Sequence, residues 1–205
     1  MLNILTSDAH KYGTDSVLLA EFADTADLKN KIVVDLCSGC GIIPVMLNRA
    51  KAVFAVEIQD TAAELIRANA ELYPQIKLIH GDLRCEDSLK QIGQEAVDLV
   101  TANPPYYKLG SGFERADAAH KTARYEGGCS LEDVVKAAAV LLKFGGKLKM
   151  CMTAPRLAET IAVMQKFAIE PKEITLISAK NSDTARLFLI SGKKGAKPGV
   201  IVKWR

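Results

Sequence analysis

No apolar run of membrane-spanning length occurs in this chain; Leu36 to Asn48 is uncharged, but Gly39, Gly41 and Pro44 interrupt it. The opening residues, Met1 to Asp8, lack the basic flank and cleavage pattern of a secretory signal. A cytoplasmic protein with no membrane partner is therefore expected. Internal repeats and low-complexity linkers are absent too. The 205 residues are expected to form a single domain, 1–205, with a buried core.

Cysteine is scarce and odd in number. Five residues, with Cys37 and Cys40 inside a glycine-rich stretch, do not make a disulfide framework. Cys37-Ser38-Gly39-Cys40 has the Cys-x-x-Cys spacing, yet Cys85, Cys129 and Cys151 supply no second ligand pair for zinc. His10, His80 and His120 show no metal spacing, so no metal is expected. A redox pair would also sit after a strand at a helix start, but a glycine motif explains the same residues. Net charge is low at +3 and unevenly spread. Residues 1–140 carry 14 Lys/Arg against 20 Asp/Glu, and residues 141–205 carry 13 against 4. A basic final third attracts phosphates by counterion release, or is simply a solvated lysine-rich surface.

What is present is an alternation of β and α patterns. Thr14-Asp15 introduces a helical run, Ser16 to Ala23, after a capping residue. Lys31 to Leu36 is a β-branched run read as a strand buried on both faces. A tight turn, Cys37 to Gly41, and a helix from Ile42 to Ala50 follow, with Pro44 tolerated in the first turn. Ala52 to Glu57 is a second strand, Asp60 to Leu72 a helix and Ile76 to His80 a third strand. The fourth strand, Ala96 to Ala102, stops at Asn103, because Pro104 and Pro105 have no N–H to continue the ladder. Leu131 to Phe144 reads as an amphipathic helix, Lys147 to Met152 as a fifth strand and Pro155 to Phe167 as another helix. Ile174–Ser178 and Arg186–Ile190 pair best as a hairpin across Asn181-Ser182-Asp183, and Gly199 to Trp204 can add an edge strand. The expected fold is α/β: a doubly wound, mostly parallel, seven-stranded sheet with a C-terminal antiparallel hairpin.

In such sheets ligands bind beyond the carboxyl ends of the strands. Strand, Asp35, glycine-rich turn, helix, strand and Glu57 make a nucleotide-type βαβ unit. Gly39 and Gly41 let the backbone approach a ligand, and Glu57, 18 residues after Gly39, can hydrogen-bond a ribose diol. A dinucleotide site needs a third glycine where Pro44 stands, and Asp35 would repel a pyrophosphate. S-adenosylmethionine, with a positive sulfonium and ammonium, fits better. Asp82, after the third strand, is placed for the adenine amino group; Asp35 and Asp82 could instead cap the following turns. Asn103-Pro104-Pro105-Tyr106-Tyr107 suits a flat group bearing an NH2: the Asn103 amide oxygen and the Pro104 carbonyl can each accept a hydrogen, and a tyrosine can stack.

These motifs, Asp35 to Gly41, Glu57, Asp82 and Asn103-Pro104-Pro105-Tyr106, resemble in order those of class I S-adenosylmethionine-dependent methyltransferases acting on nitrogen. Tyr12 to Leu19, Ala123-Arg124-Tyr125-Glu126 and Ala154 to Leu157 are similar to the bacterial tRNA adenine-N6 methyltransferases that modify the adenine beside the anticodon of a valine tRNA. One departure is Tyr125, where that pattern has histidine. The resemblance implies S-adenosylmethionine as cofactor and RNA, specifically tRNA, as partner. It implies that Tyr12, Thr14 and Asp15 cover the cofactor within a segment 1–28, and that Ser38, Ile58 and Leu83 join its contacts. Lys108 to Gly128 has no clear period and carries Gly110, Gly112, Gly127 and Gly128, so 106–128 reads as a flexible flap beside the site. Arg124, Arg156, Lys193 and Lys194 are candidate phosphate contacts, and Tyr107 a second stacking ring. Methylation of a protein glutamine, guanine N2 or DNA adenine remains open at this stage, as do a non-catalytic RNA-binding relative and a nicotinamide dehydrogenase.

Overall fold

The computed structural model describes residues 3–8, 10–104, 129–179 and 182–205. Its sheet has the strand order β3-β2-β1-β4-β5-β7-β6-β8. The strands are β1 (Ile32–Leu36), β2 (Ala52–Glu57), β3 (Ile76–His80), β4 (Val97–Ala102), β5 (Leu142–Thr153), β6 (Ile169–Ser178), β7 (Ala185–Lys194) and β8 (Ile201–Trp204). β1 to β5 run parallel, and β7 is antiparallel to both β5 and β6. The expected doubly wound sheet and hairpin are there, but with eight strands rather than seven among the described residues. β8 returns parallel to β6, from Glu173 opposite Ile201 to Leu176 opposite Trp204, and Lys203 ion-pairs with Glu173 at 2.6 Å.

Helices cover both faces. α1 (Thr14–Ala23), α2 (Ile42–Met46) and α3 (Asp60–Leu72) lie on one side; α4 (Glu86–Lys90), α5 (Leu131–Leu141) and α6 (Leu157–Lys166) on the other. Leu19, Ala20 and Ala23 seat α1 against Val33, Leu99 and Leu189, all fully or almost fully buried. Truncating Leu19 to alanine would cost roughly 3 kcal/mol and leave a cavity under α1. On the opposite face Val134, Val135, Ala138 and Leu141 of α5 pack with Met150, Met152 and Phe188. A reciprocal cap starts α5: Ser130 Oγ accepts from Asp133 N–H, and the Asp133 carboxylate accepts from Ser130 N–H.

Several boundaries differ from the periodicity. α2 stops at Met46, short of Ala50, and the helix expected at Pro155 begins as a 3-10 turn, Ala154–Arg156. α5 ends at Leu141, three residues before Phe144, because Leu142 already pairs with Val97 of β4. Gly145, at φ +79°, therefore lies within the irregular start of β5 rather than ending the helix. The residue before α1 is Gly13, not a side-chain cap; Thr14 is the first helical residue.

Lys149 of β5 is buried beside α1, with Nζ hydrogen-bonded to the Phe22 carbonyl and 4.4 Å from the centre of the Phe22 ring. A cation thus meets carbonyls at the helix C-terminus, where the macrodipole favours it. The chain before α1 lies along α3. Tyr73 Oη donates to the Asn3 carbonyl, the Asn69 amide bonds both Leu5 N–H and Leu5 C=O, and His10 Nε2 lies 2.8 Å from Thr61 Oγ1 at the start of α3. This segment runs up to the carboxyl edge of the sheet.

Candidate functional site at the carboxyl edge of the sheet

The carboxyl ends of β2, β1 and β4 lie side by side, with Leu36 opposite both Val56 and Ala102. Between β1 and α2 the backbone takes left-handed conformations at Cys37 (φ +59°), Gly39 (φ +54°) and Gly41 (φ +82°). A Cβ built on Gly39 would meet no atom within 4 Å, so this turn faces open space, whereas one on Gly41 would press on Ile66 at 3.2 Å. Ser38 Oγ donates to the Asp35 carbonyl and Gly41 N–H to the Ser38 carbonyl, both at 2.9 Å, which closes the turn. Asn69, buried on α3, donates to the Cys40 carbonyl at 3.1 Å and so ties turn and N-terminal segment together.

Glu57 ends β2 and is buried. Its carboxylate accepts three backbone N–H bonds, from Gly39 at 2.8 Å, Ile58 at 3.0 Å and Gln59 at 2.9 Å. A carboxylate has about four lone-pair sites, so acceptor capacity for a diol is left over. Ile58, 47% exposed next to it, offers an apolar surface to a flat ring.

Asp35 is fully buried at the other side of the turn. Oδ1 accepts from Thr101 Oγ1 at 2.6 Å, while Oδ2 has no hydrogen-bond partner among the described residues. Burial pushes its carboxyl up to about 7, and the nearby Glu57 charge adds to this; the Thr101 bond works the other way. An orphaned buried carboxylate oxygen beside an open glycine turn is suited to a cation or a protonated amine. A group that is positive near the turn and carries a ribose diol therefore fits Asp35, Gly39 and Glu57 together.

Asn103 follows β4, and Pro104 behind it is buried. The Asn103 amide nitrogen donates to Ser16 Oγ at 2.8 Å and to Asp15 Oδ2 at 3.1 Å, both in the first turn of α1. Thr14, which opens that helix, and Tyr12, two residues before it, are exposed. Pro105, Tyr106, Tyr107, Arg124 and the expected flap lie outside the described residues.

Asp82 and Leu83 follow β3, and Asp82 Oδ1 accepts from Arg84 N–H at 2.8 Å, the capping alternative. Both Asp82 oxygens are within 3.0 Å of Arg84 nitrogens, and that guanidinium holds the carboxyl below its usual range. Leu83 places its side chain in the core. Arg156, at the start of α6, is almost buried and ion-paired with Glu159 at 3.0 Å. Lys193 and Lys194 are not brought to this edge. Lys193 lies opposite Lys147, midway along β5 and roughly 20 Å along the strand from Thr153 at its carboxyl end. Lys194 Nζ holds Glu95 and the Ala139 and Leu142 carbonyls. The exposed Arg186, before Leu187, lies at the carboxyl edge instead, with Arg205 and the half-exposed Trp204.

The Cys-x-x-Cys pair is not assembled as a reactive dithiol. Cys40 is buried, and Cys37 instead meets Cys129 with Sγ atoms 3.6 Å apart. The hydrogen bond to Cys129 and burial push the Cys37 thiol well above its usual range. No group of three or more His, Cys, Asp or Glu able to hold a metal occurs among the described residues, and no helix there is long and apolar enough to cross a membrane. Sequence reasoning missed Ser16 and Asn69. A polar residue on the buried stripe of α3 was the available signal for Asn69; nothing local pointed to Ser16.

Residues 7–168 match the family model described as methyltransferase small domain. A tRNA1(Val) (adenine(37)-N6)-methyltransferase of Porphyromonas gingivalis is 33% identical over 162 residues, 75% of this chain and 63% of that protein. The chain thus spans less than two thirds of that relative's length. The enzyme of the same name from Aeromonas hydrophila is 28% identical over 201 residues, 95% of this chain and 82% of its own. Among solved structures, a predicted O-methyltransferase from Agrobacterium tumefaciens superposes with a TM-score of 0.71 at 23% identity, covering 93% of this chain and 85% of that one, a likeness of fold.

Proposed function

The chain belongs to the methyltransferase small domain family, and from that premise we propose that it methylates the N6 amino group of an adenine in tRNA, using S-adenosylmethionine. One observation carries the reading: Asn103, at the end of β4, has its amide nitrogen held by α1 at the same sheet edge as the glycine turn, the orphaned Asp35 oxygen and Glu57. The relatives named above bear that activity in their names, and their substrate class is the one adopted here.

Bound at this edge, the cofactor would supply an electrophilic methyl on a sulfonium. Asp35 would answer its positive charge with the orphaned oxygen, and Glu57, fixed by its backbone bonds, would take the ribose hydroxyls. An adenine N6 is a weak nucleophile because its lone pair is drawn into the ring. The Asn103 carbonyl oxygen and the Pro104 carbonyl each accept one hydrogen of that NH2, which favours a pyramidal nitrogen with its lone pair free. Most of the rate then comes from positioning and from acceptors already in place. As the N–CH3 bond forms the S–CH3 bond breaks, leaving S-adenosylhomocysteine as a neutral thioether; no strong base is needed before attack, since the methylated ammonium is acidic and gives its proton to water.

Incubation with methyl-labelled cofactor and total tRNA, followed by nucleoside mass spectrometry, tests this. Label in N6-methyladenosine is expected. Label in N2-methylguanosine, or in a protein glutamine when cell extract is supplied, would replace the substrate assignment.

A further inference from the structure

We propose that Asp15 and Ser16 are positioning residues, which orient the Asn103 carboxamide so that its oxygen, and not its nitrogen, is presented to the substrate amine. This rests on the proposed function and goes beyond the covering role that family resemblance implies for Asp15. A primary amide has two ends of nearly equal size, exchanged by a half-turn of the side chain. Only the oxygen end can accept a hydrogen from an NH2 group. An amide turned the other way would set two donors against each other and leave the amine ungripped.

What selects the orientation is on α1. An ionised carboxylate can only accept, so the amide end nearest Asp15 Oδ2 must be the nitrogen, at 3.1 Å; Ser16 Oγ, at 2.8 Å, accepts from the same nitrogen. The reversed amide would bring its oxygen against the Asp15 carboxylate, exchanging a charge-assisted bond for repulsion. Asp15 is itself constrained. Its Oδ1 accepts from Ser16 N–H at 2.9 Å, and a carboxylate in the first helical turn is favoured by the macrodipole. Gly13 leaves the space this requires, because a Cβ there would lie 2.4 Å from Asp15 Oδ1. The helix in turn is seated by buried Leu19, Ala20 and Ala23 and by Lys149 on its last turn. A residue 88 positions away thereby decides which end of the amide faces the reaction.

The same full-length chain is tested as wild type, Asp15→Asn, Ser16→Ala, Gly13→Ala, Asn103→Ala and the double variant Asp15→Asn/Asn103→Ala. Asparagine at 15 keeps the size but can present a donor, so both amide orientations become acceptable. Asp15→Asn is expected to lower kcat about 10- to 30-fold, with KM for tRNA and cofactor Kd within about threefold. In the Asn103→Ala background the same change should cost less than about twofold, because Asp15 acts through Asn103. Equal losses in both backgrounds, or a loss confined to cofactor affinity, would overturn the proposal. A second readout needs no substrate. The Asn103 side-chain amide, assigned by its absence from the Asn103→Ala spectrum, should exchange its protons slowly in wild type. Exchange should be at least about tenfold faster in Asp15→Asn and Gly13→Ala, and measurably faster in Ser16→Ala. Fast exchange in the wild-type protein refutes the positioning whatever the activity. Slow exchange without methyl transfer to tRNA upholds it and removes the substrate assignment instead.

Discussion

Thr101 Oγ1 donates to Asp35 Oδ1 across β4 and β1 at 2.6 Å, and the second oxygen of that carboxylate is left without a partner in the described structure. The two residues are register neighbours, so sheet pairing itself creates the asymmetry. One oxygen is committed to the scaffold and the other is left unpaired among the described residues.

The titration of Asp35 follows from this. Below about pH 4 its carboxyl is protonated in folded and unfolded chains alike. Between about 4 and about 7 the unfolded chain releases that proton while the folded chain keeps it, so this group makes the cofactor-free protein less stable as pH rises. A cation beside Oδ2 favours the ionised form. Cofactor binding at pH 6.5 should therefore release up to about 0.8 proton, read by calorimetry in buffers of differing ionisation enthalpy. Asp35→Asn should abolish the release. A buffer-independent binding enthalpy in the wild type would show that Asp35 does not face the charge.

Glu57 ties its own loop to the glycine turn through three backbone N–H bonds, two from Ile58 and Gln59 and one from Gly39. In Glu57→Gln the carboxamide nitrogen must face at least one of those donors. A loss of about 2 kcal/mol in cofactor binding is expected, roughly thirtyfold in Kd, together with a lower thermal midpoint. Unchanged affinity with a lowered midpoint would restrict Glu57 to bracing the turn.

RNA contact should divide along the sheet. Arg186 is at the carboxyl edge on β7, two strands and roughly 10 Å from β4, whereas Lys193 is at the opposite end. Arg186→Glu should weaken tRNA binding at least about fivefold and reduce the salt slope by about 1; Lys193→Glu should stay within about twofold. The reverse ranking would mean that RNA approaches from the amino ends of the strands.

The parallel half of the sheet was legible because each buried strand is a compact apolar run, and Asn103 because two prolines must stop β4. Glu57 was legible from its spacing to Gly39. The start of β5 was not, since Leu141 and Leu142 are apolar in either a helix or a strand and only pairing with Val97 decides between them. The Asp15, Ser16 and Asn103 contact and the Cys37–Cys129 approach join residues 87 to 92 positions apart. No local period encodes such distances. Lys193 and Lys194 stand out by charge density alone, which says nothing about the end of the sheet they occupy.

Asn103→Ala is the most direct test of an amine gripped at the end of β4. Methyl transfer to tRNA and cofactor affinity are measured on the same preparation. A drop in turnover of about a hundredfold or more, with cofactor Kd within about threefold, is the expected result. Turnover that survives the loss of this carboxamide would contradict the mechanism and move the amine acceptor elsewhere.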